Sequence, residues 1–266
     1  MSKQLIFLFF DSVNQIFKKD ETSKYVKEVS MRIILQEKPQ KPIIIQGFPG
    51  FGLIGTIVTE YLIEHLQAKK IGSIKIEEGS PVVAVQNGVV IEPVGIYYCE
   101  KYNIVLVHTV QNLQELEWKY AHLLKEVVTQ LHAWELLSIE GVVDQSTQEE
   151  SQIFYFTTTP EISQKLEQAH VSPLQNGILM GTGAALICEE LSCHYTAIFT
   201  TTHSQLPDSR AAASVIKALD AYLQLDIPYE PLLEKAKEFE EKYASLGEKV
   251  KMSKDELSKK NLNYVG

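Results

Sequence analysis

From Pro42 onward, short runs of branched aliphatic residues alternate with helix-length stretches, and the first junction between them constrains the fold most. Ile43-Ile44-Ile45-Gln46 reads as a buried strand, and Gly47-Phe48-Pro49-Gly50-Phe51-Gly52 turns it at once into an apolar-patterned stretch over 53–66. Strand, glycine-rich turn and helix make the first half of a βαβ unit, and side-chain-free positions let the helix fold back over the strand. The alternation then continues, with strands over 71–76, 95–99 and 104–109, a helix over 113–137, and strands over 139–143 and 153–157. A helix opening at Pro160 and running to 169, a strand at 177–180, a helix over 184–191 and a strand at 197–200 follow. Asp208 is placed to cap a helix running to 223, and Pro228 separates it from a last helix. Asn87-Gly88, between apolar runs at 82–86 and 89–91, marks a hairpin, so part of the sheet is antiparallel. Together these elements predict an α/β fold with helices on both faces of a mixed sheet, of unspecified strand order.

Composition adds limits. With 266 residues, 45% hydrophobic and 22% charged, the chain can bury one large core with short appendages. A net charge of -9 lacks the basic footprint that nucleic acid requires. The apolar run at 5–10 is six residues long and is followed by Asp11, too short for a membrane span or a signal core. Cys99, Cys188 and Cys193 form an odd set that fits buried thiols in a reducing, cytoplasmic setting. Three segments emerge: an N-terminal extension over 1–30 whose place in the native chain is open, a domain over 31–247 ending in an amphipathic helix, and a flexible tail over 248–266.

Gly50-Phe51-Gly52-Leu53-Ile54-Gly55 matches the dinucleotide fingerprint Gly-x-Gly-x-x-Gly, with Glu77 at the end of the following strand as the ribose-binding acid. A tight strand-to-helix turn needs the same glycines without any ligand, with Gly47, Pro49, Gly50, Gly52 and Gly55 as structural residues. Aromatic Phe48 and Phe51 crowd the phosphate position and favour this second reading. Gly181-Thr182-Gly183 opens a second helix but lacks the lysine and glycine spacing of a P-loop. Seven scattered histidines and the group Cys188, Cys193 and His194 supply no four-ligand spacing, so no metal, cofactor or catalytic residue is expected.

Tyr229, Leu232, Ala236, Phe239, Tyr243, Leu246 and Val250 recur in steps of three and four, forming one apolar helical stripe that either the protein's own core or another subunit must cover. The chain closes on Leu262, Asn263, Tyr264, Val265 and Gly266 after a lysine-rich spacer. A mobile tether with an apolar tip and a free carboxylate suits capture in a partner's pocket, with Leu262, Tyr264, Val265 and Gly266 as contacts.

Read together, Gly47 to Gly55 followed by Glu60-Tyr61-Leu62-Ile63, Val110-Gln111, Pro207-Asp208-Ser209-Arg210-Ala211-Ala212 and Leu225-Asp226-Ile227-Pro228 resemble the proteasome-assembly-chaperone family, in particular its archaeal homologues. The resemblance implies a three-layer α/β/α fold similar to phosphorylase/hydrolase-like domains but without their active site. It also implies self-association into a homo-oligomer and binding to proteasome α subunits. Some relatives end in a hydrophobic-tyrosine-any tripeptide; here Tyr264 is third from the end instead of second.

Overall fold

The computed structural model describes residues 31–77, 84–86, 88–111, 113–143, 151–202 and 206–234. The chain divides into two units, Met1–Ser30 and Met31–Gly266, and the described residues belong to the second. Expectations for 1–30, for Ala236, Phe239, Tyr243, Leu246 and Val250 of the stripe, and for the tail with Leu262, Tyr264, Val265 and Gly266 lie outside the described residues.

The all-apolar run after Pro42 becomes β2 (Ile43–Gly47), whose Ile44, Ile45 and Gln46 are fully buried. A strand buried on both faces belongs in the middle of a parallel sheet. It lies parallel to β7 (Ile104–Thr109) on one side and β8 (Glu135–Val143) on the other, with Ile45 paired to Leu106 and Leu137. Beyond β8 comes β11 (His194–Thr202), also parallel, then antiparallel β9 (Ile153–Thr157) and the two-residue β10 (Ser172–Pro173). On the other flank β6 (Val94–Cys99), β3 (Lys69–Ile76) and β1 (Met31–Leu35) pair antiparallel in turn. Among the described residues this makes one nine-stranded mixed sheet in the order β1-β3-β6-β7-β2-β8-β11-β9-β10. The hairpin of β4 (Ala84–Gln86) and β5 (Val89–Ile91) stands apart as its own sheet, turning through Gly88 at φ +79°.

Because side chains alternate across a strand, each strand feeds two cores. Ile45, Leu106, Leu137, Ile139 and Ile198 pack beneath α1 (Ile54–His65), α3 (Pro160–Gln168) and α5 (Ser209–Leu223). Ile44, Val105, Val107, Leu136 and Phe199 pack beneath α2 (Glu117–Leu131) and α4 (Thr182–Cys188) on the opposite face. The result is an α/β/α sandwich. Leu232 is 4% exposed and is covered by the chain's own core, and Tyr229, half-buried, packs against that core on the α1/α5 side.

Several elements differ from expectation. The helix predicted over 113–137 ends at Leu131, because His132 adopts the left-handed conformation at φ 49° and the Trp134 amide donates to the Pro42 carbonyl at 2.9 Å. Residues 135–137 then join β8, where Leu136 and Leu137 face opposite cores. Residues 177–180 form no strand: Ser172–Pro173 takes the place beside β9, and Ile178 and Met180 stand 92% and 77% exposed. A four-residue apolar run lacks periodicity enough to distinguish strand from loop. The next helix closes at Cys188, whose thiol is exposed instead of buried, whereas Cys99 is buried. Among the described residues no helix is long and apolar enough to cross a membrane.

Candidate functional site

The glycine-rich turn sits where the parallel strands end, the usual ligand-binding edge of an α/β sheet. A Cβ on Gly47 would lie 2.0 Å from the Gly55 carbonyl oxygen, and one on Gly55 would lie 2.7 Å from that of Ile139. Both glycines therefore let α1 press onto β2 and β8. Gly52 has φ +65°, and a Cβ there would meet Thr202 Oγ1 at 3.1 Å and Asp208 Cβ at 3.2 Å. Gly50 is less crowded, its nearest outside atom being on the Phe48 ring at 3.9 Å. Asp208 is itself held in place: its Oδ1 accepts the Ala211 amide at 2.9 Å as cap of α5, and its Oδ2 accepts the Thr202 hydroxyl at 2.8 Å. A fixed carboxylate beside the turn repels a phosphate.

Sheet order separates Glu77 from this turn. In a dinucleotide fold the acid ends the neighbouring strand. Here β6 and β7 stand between β3 and β2, a lateral distance of ~14 Å at ordinary strand spacing. The Gly50–Gly55 fingerprint and Glu77 are therefore not brought together as the spacing along the chain predicts. The second glycine turn meets a carboxyl as well, since a Cβ on Gly183 would lie 1.6 Å from Glu140 Oε1.

Between these two turns lies a cavity of about 500 Å³. Phe48, Pro49, Gly50 and Phe51 form one wall and residues 178–182 the opposite one, while Leu113, Gln114 and Glu117 come from the approach to α2 and residues 140–143 from the end of β8. Its rim carries exposed apolar side chains: Phe51, Val143, Met180 and Ile178 are 39%, 47%, 77% and 92% exposed. Covering a large aliphatic side chain is worth roughly 1.5–3 kcal/mol.

Glu140 is the unusual group. It lines the cavity, yet its Oε1 is buried and has no hydrogen-bond partner. Burial pushes its carboxyl up to about 8. Neighbouring positions on the same face of the sheet are also polar. The Ser138 and Tyr195 hydroxyls are hydrogen-bonded at 2.8 Å, and Gln46, paired in register with Ser138, leaves both side-chain polar atoms buried and unpartnered. The Tyr195 hydroxyl is raised by burial first and by Glu140 second. Among the described residues, the titratable groups on the cavity wall are Glu117 and Glu140, and the lining includes no histidine, cysteine, lysine or arginine. Among the described residues no three potential metal ligands gather.

The sequence model of the PAC2 family matches residues 44–246. The chain belongs to the PAC2 family. Its fold is similar to the crystal structure of Pyrococcus furiosus PbaA, described as an archaeal homolog of proteasome-assembly chaperone, with a TM-score of 0.75 and 22% identity over 89% of this chain and 99% of that one. It is also similar to Pyrococcus furiosus PbaB, described as an archaeal proteasome activator, with a TM-score of 0.70 and 23% identity over 82% of this chain and 98% of that one. An uncharacterised protein of Methanocaldococcus jannaschii is 22% identical over 223 residues, spanning 82% of this chain and 92% of the relative.

Within this PAC2 chain, sequence reasoning singled out the glycine turn but missed Glu140 and the 178–180 loop. One signal was present. An acidic residue inside the apolar run Ile139-Glu140-Gly141-Val142 is out of keeping with a central strand and marks a position to inspect.

Proposed function

We propose that this PAC2-family protein is a non-catalytic, cytoplasmic binding protein that acts as a homo-oligomer on proteasome α subunits, assisting ring assembly or capping the α ring. The observation that carries the binding role is the exposed apolar rim of Phe51, Val143, Ile178 and Met180 at the strand ends, beside the cavity. The partner is taken from family membership and from the similarity to PbaA and PbaB. Covering apolar surface until subunits close upon one another is the work such a rim can do, with burial as its driving force. Tails ending in Leu262, Tyr264, Val265 and Gly266 would add a second contact, and several tails in one oligomer raise the local concentration of each. The test is co-sedimentation of the full chain with archaeal-type α rings, repeated after removal of residues 264–266. Binding by the full chain and a loss of about tenfold on truncation is the expected result. Unchanged binding confines recognition to the globular body, and no binding by the full chain rejects the reading.

A further inference from the structure

The proposed role leaves open what chemistry the cavity recognises, and the inference below rests on that role. We propose that the cavity between residues 48–51 and 178–182 receives a lysine or arginine side chain, flanked by apolar residues, from a partner polypeptide. Three observations converge on this occupant. The volume of about 500 Å³ falls in the range of sites that enclose a ligand group, and Phe48, Phe51, Leu179 and Met180 line it with apolar surface. Among the described residues its wall carries the carboxyls of Glu117 and Glu140 and no basic side chain. Glu140 lines this wall, and its Oε1, buried against Gly183, has no hydrogen-bond partner, so the carboxyl beside the cavity is left unsatisfied.

A long basic side chain meets all three conditions. Its methylene stem lies along apolar walls while its charged head donates several hydrogen bonds to carboxyl oxygens. Pairing with a cation favours the ionised carboxylate that burial otherwise disfavours. Ile178 and Met180, exposed on the rim, close over apolar residues on either side, and the flexible thioether adapts to their shape. An overall charge of -9 draws basic segments toward the protein.

Titration calorimetry of the full chain tests this with two probes, acetyl-Ala-Leu-Lys-Leu-Ala-amide and its norleucine counterpart, which keeps the stem and removes the charge. The lysine peptide is expected to bind saturably and about tenfold tighter than the norleucine peptide, and Glu140→Gln is expected to abolish that difference. Ile178→Ser, at a side chain the fold leaves in solvent, is expected to weaken both peptides about fivefold. Equal affinity for the two peptides, a lysine preference undiminished in Glu140→Gln, or no saturation overturns the proposal. Peptide displacement by self-association overturns it too, assigning the cavity to a second copy of the chain. The α-ring assay separates the two claims: rings bound by a chain that captures neither peptide leave the chaperone role standing, and peptide capture without ring binding does the reverse.

Discussion

Glu140 and His108 show how single buried groups set the pH response of this protein. His108, on the α1 side of the sheet and hydrogen-bonded to the Thr59 hydroxyl at 2.9 Å, is lowered by burial from 6.5 to about 4. Below pH 6.5 the unfolded chain takes up this proton before the folded one, so stability declines as pH falls toward 4. Glu140, raised from 4.5 to about 8, acts in the opposite direction: above pH 4.5 the unfolded chain ionises first, and stability declines as pH rises toward 8. At pH 7 that penalty is on the order of 3 kcal/mol. Urea denaturation between pH 6.5 and 8 is expected to show falling stability in the wild type and a much flatter profile in Glu140→Gln. A second residue-scale expectation concerns Gly47, where an added methyl group meets the Gly55 carbonyl at 2.0 Å. Gly47→Ala is expected to cost about 3 kcal/mol in the same assay, because backbone and not a movable side chain blocks it.

At the scale of elements, α5 is tied to the sheet at both ends. Asp208 caps its first turn and holds Thr202, and near its other end the Tyr222 hydroxyl donates to both carboxylate oxygens of Glu135 on β8, at 3.2 and 3.0 Å. Thr196 donates to the same carboxylate at 2.6 Å. Burial raises Glu135 while these two donors pull it back down. Tyr222→Phe removes one of them from a buried acid and is expected to destabilise by about 1–3 kcal/mol. Asp208→Ala, which uncaps the helix, is expected to cost about 1–2 kcal/mol, and both are measured by chemical denaturation. The 178–180 loop behaves differently. Ile178→Ser is expected to change stability by less than about 0.5 kcal/mol, because its side chain is already in water.

For the whole molecule, strand order tells against the dinucleotide-binding reading. A ribose acid separated from the glycine turn by β6 and β7 cannot complete a dinucleotide site, and Asp208 stands beside the turn itself. Thermal melts with millimolar NAD, NADP and ATP are therefore expected to show no shift, since a ligand that does not bind the native state cannot stabilise it. A rise of several degrees would restore the enzyme reading.

What the amino-acid order determined by itself was local. Alternation of branched runs with helical stretches specified α/β, the glycine turn placed α1 after β2, and Asp208 and Pro160 marked helix starts, because periodicity, caps and turn residues act over a few positions. The end of α2 was less legible, since the apolar residues of 131–137 suit either period until β2 offers residues 135–137 a partner. Tertiary structure alone decided that β6 and β7 part Glu77 from Gly50, that residues 178–180 find no strand to pair with, and that Glu140 Oε1 is buried against Gly183 beneath α4. Strand neighbours and cavities arise from contacts between segments far apart in the chain, and no local pattern encodes which distant segment arrives.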